Sequence, residues 1–408
     1  MPEVVKTRTM PPVKVAHQPV LSVRKIRYLI FLKDVVVLAV TAFGGPQVHF
    51  SMFLDRLVYK RAYLTECELL ELTALCQVLP GPTSTQTLTA IGFRIGGPNL
   101  AYLTLLVWIA PAVLLMTAAG IGVSYLPNLN FTRFVQPMAV AFVAFAGFKI
   151  SRGLLRNRSD LVLMLLAMAL SYAFRSPWAC PLILLAGGSF TAFNYKEHQR
   201  VEKKRMTIVW ANFILFISVA LGAAVMGHFT RSMPVLLFEN FYRNGSLIFG
   251  GGEVLTPLLF TEFVQFKHYL SSEEFLSGSA LSRVMPGPVF SFTSYIGALS
   301  MREYGIAGQI GGSLMATAGI FLPGTFLIFF VIRFWDQLKR YRVVRASLEG
   351  IKAANTGLVA SAAVLLFEPM ASDWINILIV VITFGFLQFT KIPHPLIIVA
   401  GLLAGLVI

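Results

Sequence analysis

Residues 75–87 read Leu75-Cys76-Gln77-Val78-Leu79-Pro80-Gly81-Pro82-Thr83-Ser84-Thr85-Gln86-Thr87, and a second Pro-Gly-Pro element, Pro286-Gly287-Pro288, follows 206 positions later. Leu69, Leu70, Leu72, Leu75, Val78 and Leu79 make the approach to the first element apolar at helical spacing. Proline has no amide to donate and clashes with the preceding turn, so the helix must stop at Pro80 and restart after Pro82. The register extends outward without a gap. Phe43-Gly44-Gly45-Pro46 pairs with Phe249-Gly250-Gly251-Gly252, Tyr63-Leu64 with Tyr269-Leu270, Glu68 with Glu274, Ala74-Leu75 with Ala280-Leu281, and Val78 with Val284. So many coincidences at one offset mark an internal duplication. After a six-residue expansion Pro111 meets Pro323, and near the ends Pro181-Leu182 and Ala186-Gly187 meet Pro395-Leu396 and Ala400-Gly401.

Both copies are built for lipid. The 408 residues are 56% hydrophobic and 13% charged, with a mean hydropathy of +0.72, which excludes a water-soluble globule. No charged residue occurs between Arg94 and Arg133, Arg205 and Arg231, Glu303 and Arg333, or from Lys391 to the C-terminus, and each stretch can hold the roughly 20 apolar residues of a transmembrane helix. Uncharged runs at 134–148, 161–174, 176–195, 353–367 and 374–390 add further spans. The fold expected is an all-α polytopic membrane protein. Its parts are a disordered basic cytoplasmic tail (1–24), a first membrane repeat (25–195), a basic linker plus one extra transmembrane helix (196–230), and a second membrane repeat (231–408).

That extra helix inverts whatever follows it, and the charges agree. Thirty-four Lys and Arg against 19 Asp and Glu leave a net charge of +15, an excess that in membrane proteins collects in cytoplasmic loops rather than on nucleic acid. In the first repeat Lys149, Arg152, Arg156 and Arg158 follow the fourth segment; the equivalent loop around 359–372 carries Glu368 and no base. The preceding loop reverses the pattern, with Arg133 alone in the first copy and Lys339, Arg340, Arg342 and Arg345 in the second. The repeats are therefore expected in inverted topology, N-terminus cytoplasmic. Segments 28–54 and 66–96, with their partners, must then enter and leave on one side as re-entrant or broken helices.

A broken helix at membrane depth survives only where protein or a water-filled cavity satisfies its backbone. The restarted helix offers free amides, a positive dipole end and hydroxyls, a setting suited to an oxyanion. The candidate substrate-binding set is Gly44, Gly45, Gln47, Gln77, Gly81, Thr83, Ser84 and Thr85 in the first copy, and Gly250, Gly251, Arg283, Gly287, Ser291 and Thr293 in the second, with Pro80, Pro82, Pro286 and Pro288 as structural breaks. The two helix ends are expected to face each other across a pseudo-two-fold axis. Arg283, at the position of Gln77, could fork onto an oxyanion. Glu253, at the position of Gln47, is the proton-coupling candidate, its alternative being an interfacial carboxylate in water. The glycine runs lack the spacing of nucleotide-binding loops. Cys67, Cys76 and Cys180 form no paired motif, and the six histidines show no ligand spacing, so neither metal nor redox cofactor is implied.

Phe43 to Pro46, Ala74 to Pro82, Phe249 to Gly252 and Ala280 to Pro288 together resemble the chromate transporter family, whose long members carry two homologous halves, each with an FGGP or FGGG element followed by a PGP element. The resemblance covers nearly the whole chain beyond the tail. It implies chromate efflux from the cytoplasm through the cell (inner) membrane, by alternating access, of a dianion like sulfate. Protons or a counter-anion are the candidate coupling partners and a homodimer is a candidate assembly. The family pattern implies Gln three residues before each PGP; Arg283 departs from it. Uptake or exchange of sulfate or another anion on the same fold is the alternative. A membrane-embedded enzyme is disfavoured because no metal cluster, paired cysteines or nucleophile–base arrangement is found.

Overall fold

The computed structural model of the protein describes residues 23–43, 46–126, 133–154, 158–174, 179–193, 208–249, 252–334, 341–390, 392 and 394–407. Nearly all of the basic tail, the Lys196–Arg205 linker and the four glycines Gly44, Gly45, Gly250 and Gly251 lie outside the described residues. The described residues are helical, without a strand. In the first repeat they form α1 (Val23–Thr41), α2 (Pro46–Phe53, running on as π-helix Leu54–Lys60), α3 (Glu66–Val78), α4 (Thr83–Ser124), α5 (Val135–Leu154), α6 (Arg158–Ala173) and α7 (Ala179–Ala192). The linking helix is α8 (Ala211–Thr230). The second repeat has α9 (Met233–Leu247), α10 (Gly252–Phe260, running on as π-helix Thr261–Phe266), α11 (Ser272–Val284), α12 (Phe292–Ser300), α13 (Gly305–Val331), α14 (Arg342–Phe367), α15 (Trp374–Phe389) and α16 (His394–Val407). Among the described residues four stretches are long and apolar enough to cross a membrane: Ala211–Thr230, Arg302–Val331, Arg342–Met370 and Thr83–Ser124, the last being two helices joined across a kink at Gly97.

The duplication is visible in local chemistry. α3 and α11 both open on a capping box: Thr65 accepts from the Glu68 amide while the Glu68 carboxylate accepts from the Thr65 amide, and Ser271 with Glu274 repeats the exchange. Each cap satisfies two otherwise orphaned donors, at about 1 kcal/mol for the side-chain oxygen. Both helices stop at the proline break, and the chain then doubles back. Arg94, at the far end of the returning helix, reaches Glu68 at 2.7 Å, and its counterpart Arg302 pairs with Glu274. Segments 66–96 and 272–302 are therefore helical hairpins that enter and leave at one end, with Pro-Gly-Pro at the tip. Each hairpin is followed by a glycine in a positive-φ conformation, Gly97 (φ 74°, ψ −166°) and Gly305 (φ 67°, ψ −170°), that swings the chain into a long crossing helix.

α1 and α2 form a hairpin of the same kind, pinned at its base by charge. Asp34 on α1, fully buried, accepts from Arg56 at 2.8 Å, Arg61 at 2.9 Å and Tyr63 at 3.1 Å. The second copy keeps the latch and exchanges the signs. Asn240 stands in the place of Asp34 and Glu262 in that of Arg56; Glu262 is held by Arg243 at 2.8 Å and faces Lys267 at 3.8 Å. In the first copy one acid meets two bases; in the second Arg243 is shared between Glu262 and Glu239, the latter at 3.9 Å, and in both the buried carboxylate is paired rather than isolated.

The long arms of the two copies cross the molecule antiparallel. At one end Tyr102 of α4 meets Phe329 of α13, ring centroids 5.2 Å apart. Thr117 is hydrogen-bonded to Ser313 further along, and at the opposite end Gln309 Nε2 donates to Ser124 Oγ at 2.7 Å. The first hairpin's base lies beside the end of α13, where Arg333 covers the Phe93 ring at 5.8 Å; the second hairpin's base adjoins its start. The repeats are thus inverted relative to each other, as the loop charges require.

Candidate functional site

The Pro-Gly-Pro tips dock across the repeat boundary, reciprocally. The Gly81 amide donates to the Ile248 carbonyl at 2.7 Å, and the Gly287 amide donates to the Ala42 carbonyl at 2.8 Å. Ala42 and Ile248 are themselves equivalent positions, each at the end of a hairpin's first helix just before its glycine run. Both glycines have positive φ, 118° and 103°, a conformation that costs other residues dearly. Each tip also packs on the residue after the proline of the opposite crossing helix: a Cβ on Gly81 would lie 3.2 Å from the Gly324 Cα, and one on Gly287 2.9 Å from the Ala112 Cβ. Gln86 fastens the first tip further, its Nε2 donating to the carbonyls of Pro80 at 2.8 Å and Gly324 at 3.1 Å.

Behind the first tip the helix restarts without a side-chain cap. Gln86 is the first residue whose amide turns back into the helix, donating to the Pro82 carbonyl at 2.9 Å, so the amides of Thr83, Ser84 and Thr85 precede the first helical bond. Here a cavity of about 380 Å³ opens between α2, α3 and the start of α4, walled by Thr73, Gln77, Thr83, Ser84 and Thr87 on its polar side and by Phe50, Phe53, Leu70 and Ala74 on the other. Among the described residues lining it there is no charged side chain. His49, fully buried, is hydrogen-bonded through Nδ1 to Ser84 Oγ at 3.1 Å and stands edge-on to Trp108 at 5.3 Å; Trp108 in turn donates to Thr85 Oγ1 at 3.1 Å. This layer fixes the hydroxyls of the helix start from behind. The arrangement offers hydroxyl, carboxamide and backbone donors and the positive end of a helix dipole to a guest that only accepts hydrogen bonds.

A sequence model of the family described as Chromate transporter matches residues 30–192 and again residues 235–406. The chain belongs to the chromate transporter family. The two matched stretches are its two repeats. The "Probable chromate transport protein" of Synechococcus elongatus is 26% identical over 377 residues, covering 91% of this chain and 93% of that protein. The "Chromate transport protein" of Cupriavidus metallidurans is 25% identical over 386 residues, 91% of this chain and 90% of its own. A half-length relative, the transporter YwrA of Bacillus subtilis, is 28% identical over 185 residues, which is 43% of this chain and 98% of that one. No solved structure matches the chain significantly.

Of the residues singled out in this chromate transporter family member, Gln77, Thr83 and Ser84 share one cavity. Thr85 is turned to Trp108, and the amides of Gly81 and Gly287 are spent on the inter-repeat joints. Arg283 lies apart from that cavity, its guanidinium 5.0 Å from the centre of the Phe142 ring on α5. Ser291 is buried and Thr293 donates to the Phe290 carbonyl at 2.9 Å. The side chains of Gln47 and Glu253, which sit in the first turns of α2 and α10, lie outside the described residues. Sequence reasoning missed Thr73, Thr87, His49 and Trp108. Thr73 and Thr87 could have been found, since each is four residues from a chosen one, Gln77 and Thr83, and so shares its helix face.

Proposed function

We propose that the protein is a secondary transporter that exports chromate, or a related oxyanion such as sulfate, across the cell membrane by alternating access. The observation that carries this reading is the uncharged donor cavity at the restart of α4, next to a tip fastened into the opposite repeat. A tetrahedral dianion presents only acceptors, and it is matched by the hydroxyls of Thr83 and Ser84, the Gln77 amide and the α4 dipole; the hydroxyls of Thr73 and Thr87, which donate to the Leu69 and Thr83 carbonyls at 2.8 and 2.9 Å, would turn to it on binding, with water filling the remaining volume. The relatives named as chromate transport proteins, aligned over nine-tenths of both chains, support the choice of cargo.

By the positive-inside rule the base of the first hairpin, with Lys60, Arg61, Arg94 and Arg333 and the basic run 339–345, faces the cytoplasm. The N-terminus lies on that side. Expelling a dianion from a negative interior is favoured by about 2.3 kcal/mol per charge for each 100 mV, so export needs no obligatory ion gradient. A proton carried by Glu253, or a counter-anion, would add coupling to that drive. The test is chromate flux in proteoliposomes of the purified protein under an imposed potential. Flux should rise as the chromate-loaded lumen is made negative and fall when Ser84 or Gln77 is replaced by alanine. Absence of chromate and sulfate flux under every gradient would refute the proposal, and competition among oxyanions ranks the cargo.

A further inference from the structure

The two repeats are related by symmetry, yet their surroundings are not. α5–α7 with α14–α16 form a helical bundle that packs on the second repeat's hairpins: α5 and α16 lie on α11, and α14 and α5 on α10. Among the described residues, α3 has no comparable packing on α14 and α7, the equivalents of α5 and α16. The open cavity occupies that uncovered side of α3, where Leu70 is half exposed.

The covered side of α11 carries matching chemistry. Thr73, Gln77 and Thr87 of the open cavity correspond to Ser279, Arg283 and Thr293. Ser279 and Thr293 are buried, and Ser279 Oγ has no hydrogen-bond partner, a state that costs about 1–3 kcal/mol and that an acceptor ligand would relieve. Arg283 is covered by the face of Phe142 from α5. Phe290 stands where Ser84 lines the open cavity, which narrows this side.

We propose that Ser279, Arg283 and Thr293 form a second oxyanion subsite, the symmetry mate of the open cavity, held shut here by Phe142 and α5, and that the α5–α7/α14–α16 bundle is the gate exposing the two subsites in turn. The proposal rests on the oxyanion-transport reading and adds to it which side is closed in this structure, by what, and where the cargo goes next. Inverted repeats make the second state available at low cost, because α14 and α7 can seat on α3 through the surfaces by which α5 and α16 now seat on α11. Packed interfaces of this sort have discrete arrangements rather than a continuum. The two subsites differ in charge: the open one is neutral and the closed one carries a guanidinium, which grips a dianion in bidentate fashion.

The test is thiol accessibility in the full-length protein with Cys67, Cys76 and Cys180 replaced by alanine, carrying either Thr73→Cys or Ser279→Cys, reconstituted and treated with a small hydrophilic maleimide. Thr73→Cys should react at least about tenfold faster than Ser279→Cys at rest. Adding Phe142→Ala, or cycling the protein with chromate under an imposed potential, should speed Ser279→Cys and slow Thr73→Cys. The proposal is overturned if Ser279→Cys stays unreactive in all these conditions while flux persists, or if both positions react together. Reciprocal labelling driven by another oxyanion but not by chromate would keep the gate and refute the cargo.

Discussion

Replacing Gly81 by alanine tests the joint on which the inverted arrangement depends. At φ +118° an L-residue is strained, by about 1–3 kcal/mol for a sparsely populated region. The new Cβ would sit 3.0 Å from Gln86 Nε2 and 3.2 Å from the Gly324 Cα. The side chain can yield; the backbone of a crossing helix cannot. Relief therefore comes from moving the tip, which lengthens the 2.7 Å bond from the Gly81 amide to Ile248 and forfeits part of its roughly 0.5–1.5 kcal/mol. The expected destabilisation is about 2–4 kcal/mol, a large share of the stability of an ordinary fold. Gly385→Ala supplies the control, since a Cβ added there would meet nothing within 4 Å and a helical alanine is neutral or stabilising by up to about 1 kcal/mol. Thermal unfolding of the two variants in detergent, followed by loss of the monodisperse peak, should separate them clearly, with Gly287→Ala falling alongside Gly81→Ala. Equal melting of Gly81→Ala, Gly385→Ala and the parent would refute the reciprocal-joint reasoning.

Asp34→Asn should destabilise by about 1–3 kcal/mol in the same melt, at the low end of a broken buried pair because Arg56 and Arg61 are partly solvated. Arg56→Glu added to it imitates the second copy's Asn240–Glu262 arrangement and should recover part of the loss through Arg61; further loss would show that the two latches are not equivalent. Trp108→Phe removes the donor that holds Thr85 and should cost about 1 kcal/mol, with chromate flux lowered as the helix start loosens. Thr87→Val keeps the shape of the cavity wall and deletes one hydroxyl, so the KM for chromate efflux should rise about five- to tenfold while the melt falls by no more than the roughly 0.5–1.5 kcal/mol of the lost bond to the Thr83 carbonyl; an unchanged KM would exclude Thr87 from the cargo's contacts.

Much of this was legible from one alignment of the chain with itself. The 206-residue offset between the Pro-Gly-Pro elements located the tips, and the parity of crossings together with the loop charges required segments 66–96 and 272–302 to turn back. The Arg94–Glu68 and Arg302–Glu274 pairs show that they do. Residues on the face of Gln77 and Thr83 were within reach of helical periodicity. What the sequence withheld is where each tip lands: a glycine amide donating to a carbonyl in the other copy leaves no periodic trace, and neither does Gln86 bridging to Gly324. His49 and Trp108 were hidden for a related reason, since their roles come from ring contacts and hydrogen bonds between α2 and α4. The unequal covering of α3 and α11 was equally hidden, because the positions that mark the duplication are shared by both segments and carry no sign of which is packed over.

The reciprocal tips also set a clock on biosynthesis. Gly81 leaves the ribosome 167 positions ahead of Ile248, and at about 5–20 residues per second its amide waits roughly 10–30 s for an acceptor. Throughout that interval the first hairpin is inserted with its most polar point unsatisfied, exposed to whatever the insertion machinery or a bound water can lend it. A newborn first half is therefore a client rather than a folded unit, and any lesion that stalls translation before α9 should send it to membrane proteolysis.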